Sequence, residues 1–130
     1  MPALNARSLA TAIGVARASI GVAYAIAPTR THEPIGGAID SKIPAVRAAG
    51  RTFGAREIYT GGSILVLQRI APNAVGPALA AGVAIDAWDF GAFTLTANYP
   101  KKNRIAGGLI AGGFTAFGAW AYLAHTRAGS

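Results

Sequence analysis

The chain contains no cysteine, which removes disulfides, thiolate metal sites and cysteine nucleophiles at once. It has two histidines. His32 falls in an expected loop and His125 near the C-terminal end, too few and too separated for a zinc site. Neither a metal nor a cofactor is therefore expected. Charge is also scarce: 13% of residues are charged, about half the ~25% of soluble domains. Only five residues are acidic, and there is no polar low-complexity tract. At 130 residues the chain has the length of one domain.

Alanine, glycine and long apolar runs fill that space, and 52% of residues are hydrophobic. The net charge of +7 invites a nucleic-acid reading. The basic residues instead cluster between apolar runs, as they do beside membrane segments. No helix-turn-helix pattern or aromatic–basic interleaving accompanies them, so nucleic acid is not an expected partner. Gly50-Arg51-Thr52-Phe53-Gly54 lacks the closing Lys-Ser/Thr of a phosphate loop, which argues against nucleotide binding.

Four apolar segments run over 8–27, 45–70, 75–99 and 105–124. The first ends at Pro28. Residues 29–44, with Pro34, Gly36, Gly37 and four charges, read as a loop. The third segment opens near Pro77, tolerated in a first turn, and stops before Pro100. The fourth is twenty residues without a charge and alone passes a strict spanning test. About twenty helical residues cross the ~30 Å hydrocarbon layer. The expectation is an all-α fold, a four-helix transmembrane bundle forming one domain over 1–130, with the lipid bilayer as its first partner. A soluble Ala/Gly-rich bundle is the competing architecture, because the first three segments each carry charge.

Arg7, the apolar run after it and Ala25-Ile26-Ala27 imitate a signal peptide, but Arg17 interrupts the run. A retained first helix is expected. The loops after helices one and three hold Arg30, Lys42, Arg47, Arg51, Lys101, Lys102 and Arg104, against Arg7, Arg69 and Arg127 on the other side. That bias puts both loops in the cytoplasm and both termini on the non-cytoplasmic side. Lys101, Lys102 and Arg104 serve first as a topology signal, with anionic-lipid contact a weaker addition. Tyr99, Trp120 and Tyr122 fall near helix ends, as interfacial aromatics do.

Asp86 and Asp89 stand three residues apart inside the third apolar run, a spacing that shares one helix face. Intramembrane ionisable groups are costly; they face the bundle interior and pair with one another. Small residues spaced for close packing mark the other faces. The stripes are Ala10, Gly14, Arg17, Gly21 and Tyr24; then Gly50, Gly54, Glu57, Gly61 and Gln68. The third is Gly82, Asp86, Asp89, Phe93 and Thr96, and the fourth Gly108, Gly112, Thr115, Ala119 and Tyr122. Counting ~1.5 Å per residue puts Arg17 and Asp86 near mid-membrane, with Glu57 and Arg56 nearer the cytoplasmic side. Arg17 is placed to pair with Asp86 or Asp89. Arg56, about 100° round the helix from Glu57, is placed for a carboxylate, a headgroup or snorkelling. Tyr59, Thr60 and Ser63 share the Arg56 face. Two neighbouring carboxylates with one strong partner cannot both ionise cheaply, and coupled protons belong to the pair.

Gly54-Ala55-Arg56-Glu57 in helix two, Pro28 ending helix one and the Asp86–Asp89 pair carry a resemblance. On them the chain resembles a family of small four-helix integral membrane proteins of bacteria and fungi, similar to DoxX-type proteins in size and helix count. The resemblance implies a four-helix bundle with a polar interior and brings no reaction with it.

Three functions compete. The first is an acid–base enzyme (isomerase, cyclase, or a hydrolase of the epoxide-opening type) acting on a lipophilic small molecule. Its catalytic candidates are Asp86, Asp89 and Glu57, with Arg17, Arg56 and Tyr59 binding or orienting the ligand. The second is a structural subunit of a membrane complex or a homo-oligomer. The third, a small proton-coupled transporter, ranks last because residues 1–70 and 71–130 show no repeat.

Overall fold

A computed structural model describes residues 5–37 and 39–128. Among them there is no strand. Five α-helices follow one another: α1 Ala6–Ile26, α2 Pro28–Gly36, α3 Pro44–Ile70, α4 Val75–Leu95 and α5 Lys101–Ala128. Single 3₁₀ turns at Asp40–Lys42 and Pro72–Ala74 lead into α3 and α4.

The helix count is five, not the four expected, because the stretch read as a loop contains α2. Pro28 occupies its first turn, where proline's fixed φ is suited and its missing N–H is no loss. Gly37, at φ 88°, ends it. The misleading signal was Pro34, which lies inside this short helix. Two other boundaries move. The run 75–99 stops being helical at Leu95. Pro100 disfavours helical backbone at Tyr99, and Asn98 takes the left-handed conformation, φ 60°, that asparagine tolerates. Helix α5 then starts at Lys101 rather than 105, with the Arg104 N–H donating to the Pro100 carbonyl at 2.9 Å. The basic cluster is thus its first turn and not a connection.

At its start α1 is capped by Asn5, whose Oδ1 accepts from the Ser8 N–H at 2.8 Å. That satisfies one of the orphan donors of a helix start. It packs antiparallel on α3 through glycine. Gly14 meets Gly61 and Gly21 meets Gly54, so closely that a Cβ at Gly61 would lie 2.5 Å from the Gly14 carbonyl oxygen. One at Gly54 would lie 2.6 Å from that of Gly21. Helices α4 and α5 form a second antiparallel pair, with Phe93 on Gly107, Phe90 on Gly112 and Val83 on Gly118. Contacts of α1 with α5 and of α3 with α4 join the pairs into one bundle, and α2 packs on α1, α3 and α5.

The α1 stripe is buried as expected, residue for residue. On α5 Gly108 is buried as expected, but the other buried residues are Asn103, Gly107, Ala111, Gly118 and Ala121, about one residue round from the expected Gly112, Thr115, Ala119 and Tyr122. Glycine and alanine occur on several faces of α5, so spacing alone did not single one out. A cluster of Leu9, Ala10, Ile13, Ile64, Val75, Leu79 and Ala121 fills the half of the bundle near the start of α1.

Ala6–Ile26, Pro72–Leu95 and Lys101–Ala128 are each long and apolar enough to cross a membrane. Helix α3 has the length, 27 residues, but not the apolarity, since it carries Arg47, Arg51, Arg56, Glu57 and Arg69.

Candidate functional site

All four long helices converge on Arg17, whose side chain is 1% exposed. One guanidinium nitrogen donates to Glu57 Oε2 of α3 at 2.7 Å. The other donates to Asp86 Oδ2 and, at 3.2 Å, to the Gly82 carbonyl of α4. Phe114 of α5 lies beneath the cation, its ring centroid 5.4 Å away, a cation–π contact. The close glycine approaches bracket this group: Gly14–Gly61 lies on one side of Arg17–Glu57 and Gly21–Gly54 on the other. Because no side chain separates α1 from α3 there, the 2.7 Å pair can form between the two helices.

A second pair extends the network toward the end where α2 lies. Arg56 clamps Asp89 with both terminal nitrogens, one of them at 3.2 Å. Its Nε donates to Glu57 Oε1 at 3.3 Å, and its guanidinium lies 4.9 Å from the Phe53 ring centroid. Glu57 therefore joins the two arginines. Three carboxylates meet two guanidiniums across α1, α3 and α4, and these are three of the five acids in the chain.

The expected set is largely brought together. Arg17 takes Asp86 and not Asp89, and Glu57 stands level with Arg17, not displaced along the bundle from it as expected. Each aspartate has its own arginine, so the two do not share one partner. Arg56 does not turn away from Glu57: its side chain reaches Glu57 on its own helix and Asp89 on α4. Tyr59 is the exception. It is 78% exposed on the outer side of α3, beside Ile58 and Val66, and does not orient anything in the network. Thr60, on the same face, is buried, but its hydroxyl donates to the Arg56 carbonyl at 2.8 Å, and Ser63 lines the outer groove with Tyr59. Tyr59→Ala is expected to change stability by no more than about 0.5 kcal/mol, as surface substitutions do. A detergent thermal-unfolding curve that shifts by several degrees would contradict this placement.

Above the network the bundle opens into a cavity of about 320 Å³, within the size range of small-ligand sites. Its wall is mostly apolar and aromatic, including Ile20, Tyr24, Phe53, Phe93, Tyr99 and Phe114. Glu57, Asp86 and Asp89 are on the wall, and neither arginine is. Helix α2 contributes His32 and Ile35, with the Tyr24 hydroxyl 3.4 Å from His32 Nδ1. An adjoining pocket of about 290 Å³ shares Phe53, Asp89, Phe93 and Tyr99, and Arg56 borders it. Sequence reasoning put Tyr24 and Phe93 on inward faces but missed His32, Phe53 and Phe114, and read Tyr99 as an interfacial aromatic. The helical pattern ran through Tyr99, and nothing local announced that α2 would fold back over the bundle. Among the described residues, no group of three His, Cys, Asp or Glu side chains is arranged to hold a metal ion.

Comparison with known proteins finds no matching family model, no matching curated protein and no matching solved structure.

Proposed function

We propose that this chain is a small integral membrane protein that takes a lipophilic small molecule into the cavity and acts on it by proton transfer. The observation that carries the reading is the placement of Glu57, Asp86 and Asp89 on the wall of an apolar cavity. Carboxylates so placed can give or take a proton at a bound molecule. Isomerisation, cyclisation and epoxide opening all suit them, because each needs a proton and no redox group. Arg17, fully buried, and Arg56, at the edge of the adjoining pocket, hold the acids in position.

The membrane setting rests on the three long apolar helices and on large apolar side chains turned outward, among them Val15, Val22, Trp88, Leu109, Trp120 and Leu123. Helix α3 serves as a fourth span. Arg47 and Arg51 lie near its start and Arg69 near its end, while Arg56 and Glu57, the charges at mid-length, are paired. By the positive-inside rule the end of the bundle with the cavity faces the cytoplasm and both termini face away.

The test compares lipophilic extracts of cells making the wild type, Asp86→Asn or Asp89→Asn. Wild type is expected to convert a compound into one of equal mass, or of one added water for epoxide opening. Neither variant should do so while both still insert and keep a cooperative unfolding transition. Identical profiles in all three, or conversion by both variants, would overturn the enzymatic reading.

A second reading is favoured by the pairing itself. Every member of the network already has an ionic partner, which suits a structural device setting helix register in a complex or homo-oligomer. Under it, Asp86→Asn lowers stability or assembly and alters no metabolite.

A further inference from the structure

We infer that the cavity is selective for lipophilic cations, of the tertiary or quaternary ammonium class. The inference rests on the reading of the cavity as a binding site for a lipophilic molecule and deepens it. The three acids are on the wall and the two arginines that pair with them are not. What enters this cavity therefore meets the acidic side chains first, with Arg56 standing beyond Asp89 on the adjoining pocket. With all three acids ionised, three carboxylates against two guanidiniums leave one negative charge unmatched within the network. In an apolar surrounding such a charge interacts far more strongly than in water. A ligand cation of matching charge balances it, a neutral molecule does not, and an anion adds to it.

The aromatic wall points the same way. Tyr24, Phe53, Phe93, Tyr99 and Phe114 ring the cavity, and ring faces attract ammonium groups, quaternary ones included. The protein's own cations already use two of these rings, Arg17 over Phe114 and Arg56 over Phe53. No described guanidinium lies over Tyr24, Phe93 or Tyr99. The apolar body of the ligand would rest against Ile20, Ile35 and Val46, with its charged end toward Asp89 and Asp86.

Benzyltrimethylammonium and neopentylbenzene separate charge from shape, since they differ by nitrogen in place of one carbon. Equilibrium dialysis of the detergent-purified protein, against protein-free micelles as blank, measures both. The ammonium is expected to bind saturably and at least tenfold more tightly than the hydrocarbon. Asp89→Asn should weaken the ammonium at least tenfold and change the hydrocarbon less than twofold. The wild-type preference needs no variant, so a variant that failed to fold would not shield the proposal. Equal binding of the two probes overturns cation selectivity and leaves the cavity as a site for lipophilic molecules. Binding of neither overturns the binding-site reading as well.

Discussion

Arg17→Met is expected to lower the unfolding free energy by about 3–5 kcal/mol, the cost of leaving a buried charge without its partner. The substitution strands Asp86, whose side chain is 6% exposed and whose one described ion pair is with Arg17, and leaves the buried Glu57 only its 3.3 Å contact with Arg56. Arg17→Lys should recover little, because an ammonium on a single stem cannot reproduce a planar fork reaching Glu57, Asp86 and the Gly82 carbonyl together. The informative control removes the whole group. Arg17→Met with Glu57→Met and Asp86→Leu leaves no unpaired charge, and apolar replacement of buried ionic groups is often neutral or stabilising. Unfolding in mixed micelles with increasing dodecyl sulfate is expected to rank the triple variant well above Arg17→Met. A triple variant as unstable as the single one would show that the charges do more for the fold than satisfy each other. If the triple variant is stable but has lost activity and ligand binding, the acids are retained for chemistry rather than architecture.

The second large effect comes from glycine. Gly61→Val is expected to cost about 3 kcal/mol, the upper end for overpacking. The new Cβ would stand 2.5 Å from the Gly14 carbonyl oxygen, 2.7 Å from the Ala18 nitrogen and 2.8 Å from Arg17 Cβ. Two of those atoms are backbone and cannot swing aside, so α1 and α3 must separate. Separation also stretches the Arg17–Glu57 contact, which makes this position sensitive through the network as well as through packing. Its neighbour is the control. Nothing lies within 4 Å of a Cβ at Gly62. Gly62→Ala should therefore stabilise the helix by about 0.5–1 kcal/mol, the difference between alanine and glycine in a helix interior. Equal thermal midpoints for the two variants would contradict the α1–α3 contact.

Much of the candidate site was legible because its signals are local. A charge inside an apolar run is conspicuous wherever the chain goes, and i, i+3 spacing places Asp86 and Asp89 on one side of any helix. The α1 stripe was equally legible: Arg17 between Gly14 and Gly21 has no reason to face lipid. Legibility failed where composition was uniform or the cause was distant. On α5 every face offers glycine or alanine, so apart from Gly108 the buried line was misplaced by about one residue. Tyr59 was grouped with Arg56 by helical spacing, yet Arg56 reaches Glu57 and Asp89 while Tyr59 stays outside. Proline-rich 28–37 read as a loop because Pro34 normally opposes a helix, and its packing on α1, α3 and α5 is what α2 gains by forming.

The sequence by itself determined that this chain is helical and apolar, that no thiol chemistry is open to it, and that its few interior charges lie on faces of small residues. These follow from composition and from the 3.6-residue period, which act within one helix. Tertiary structure alone decided which acid meets which arginine, and that all three acids of the network reach the wall of one largely apolar cavity. Those outcomes depend on how far apart α1, α3, α4 and α5 come to rest. That spacing is set by contacts between residues about 40 to 70 positions apart, which no local pattern records.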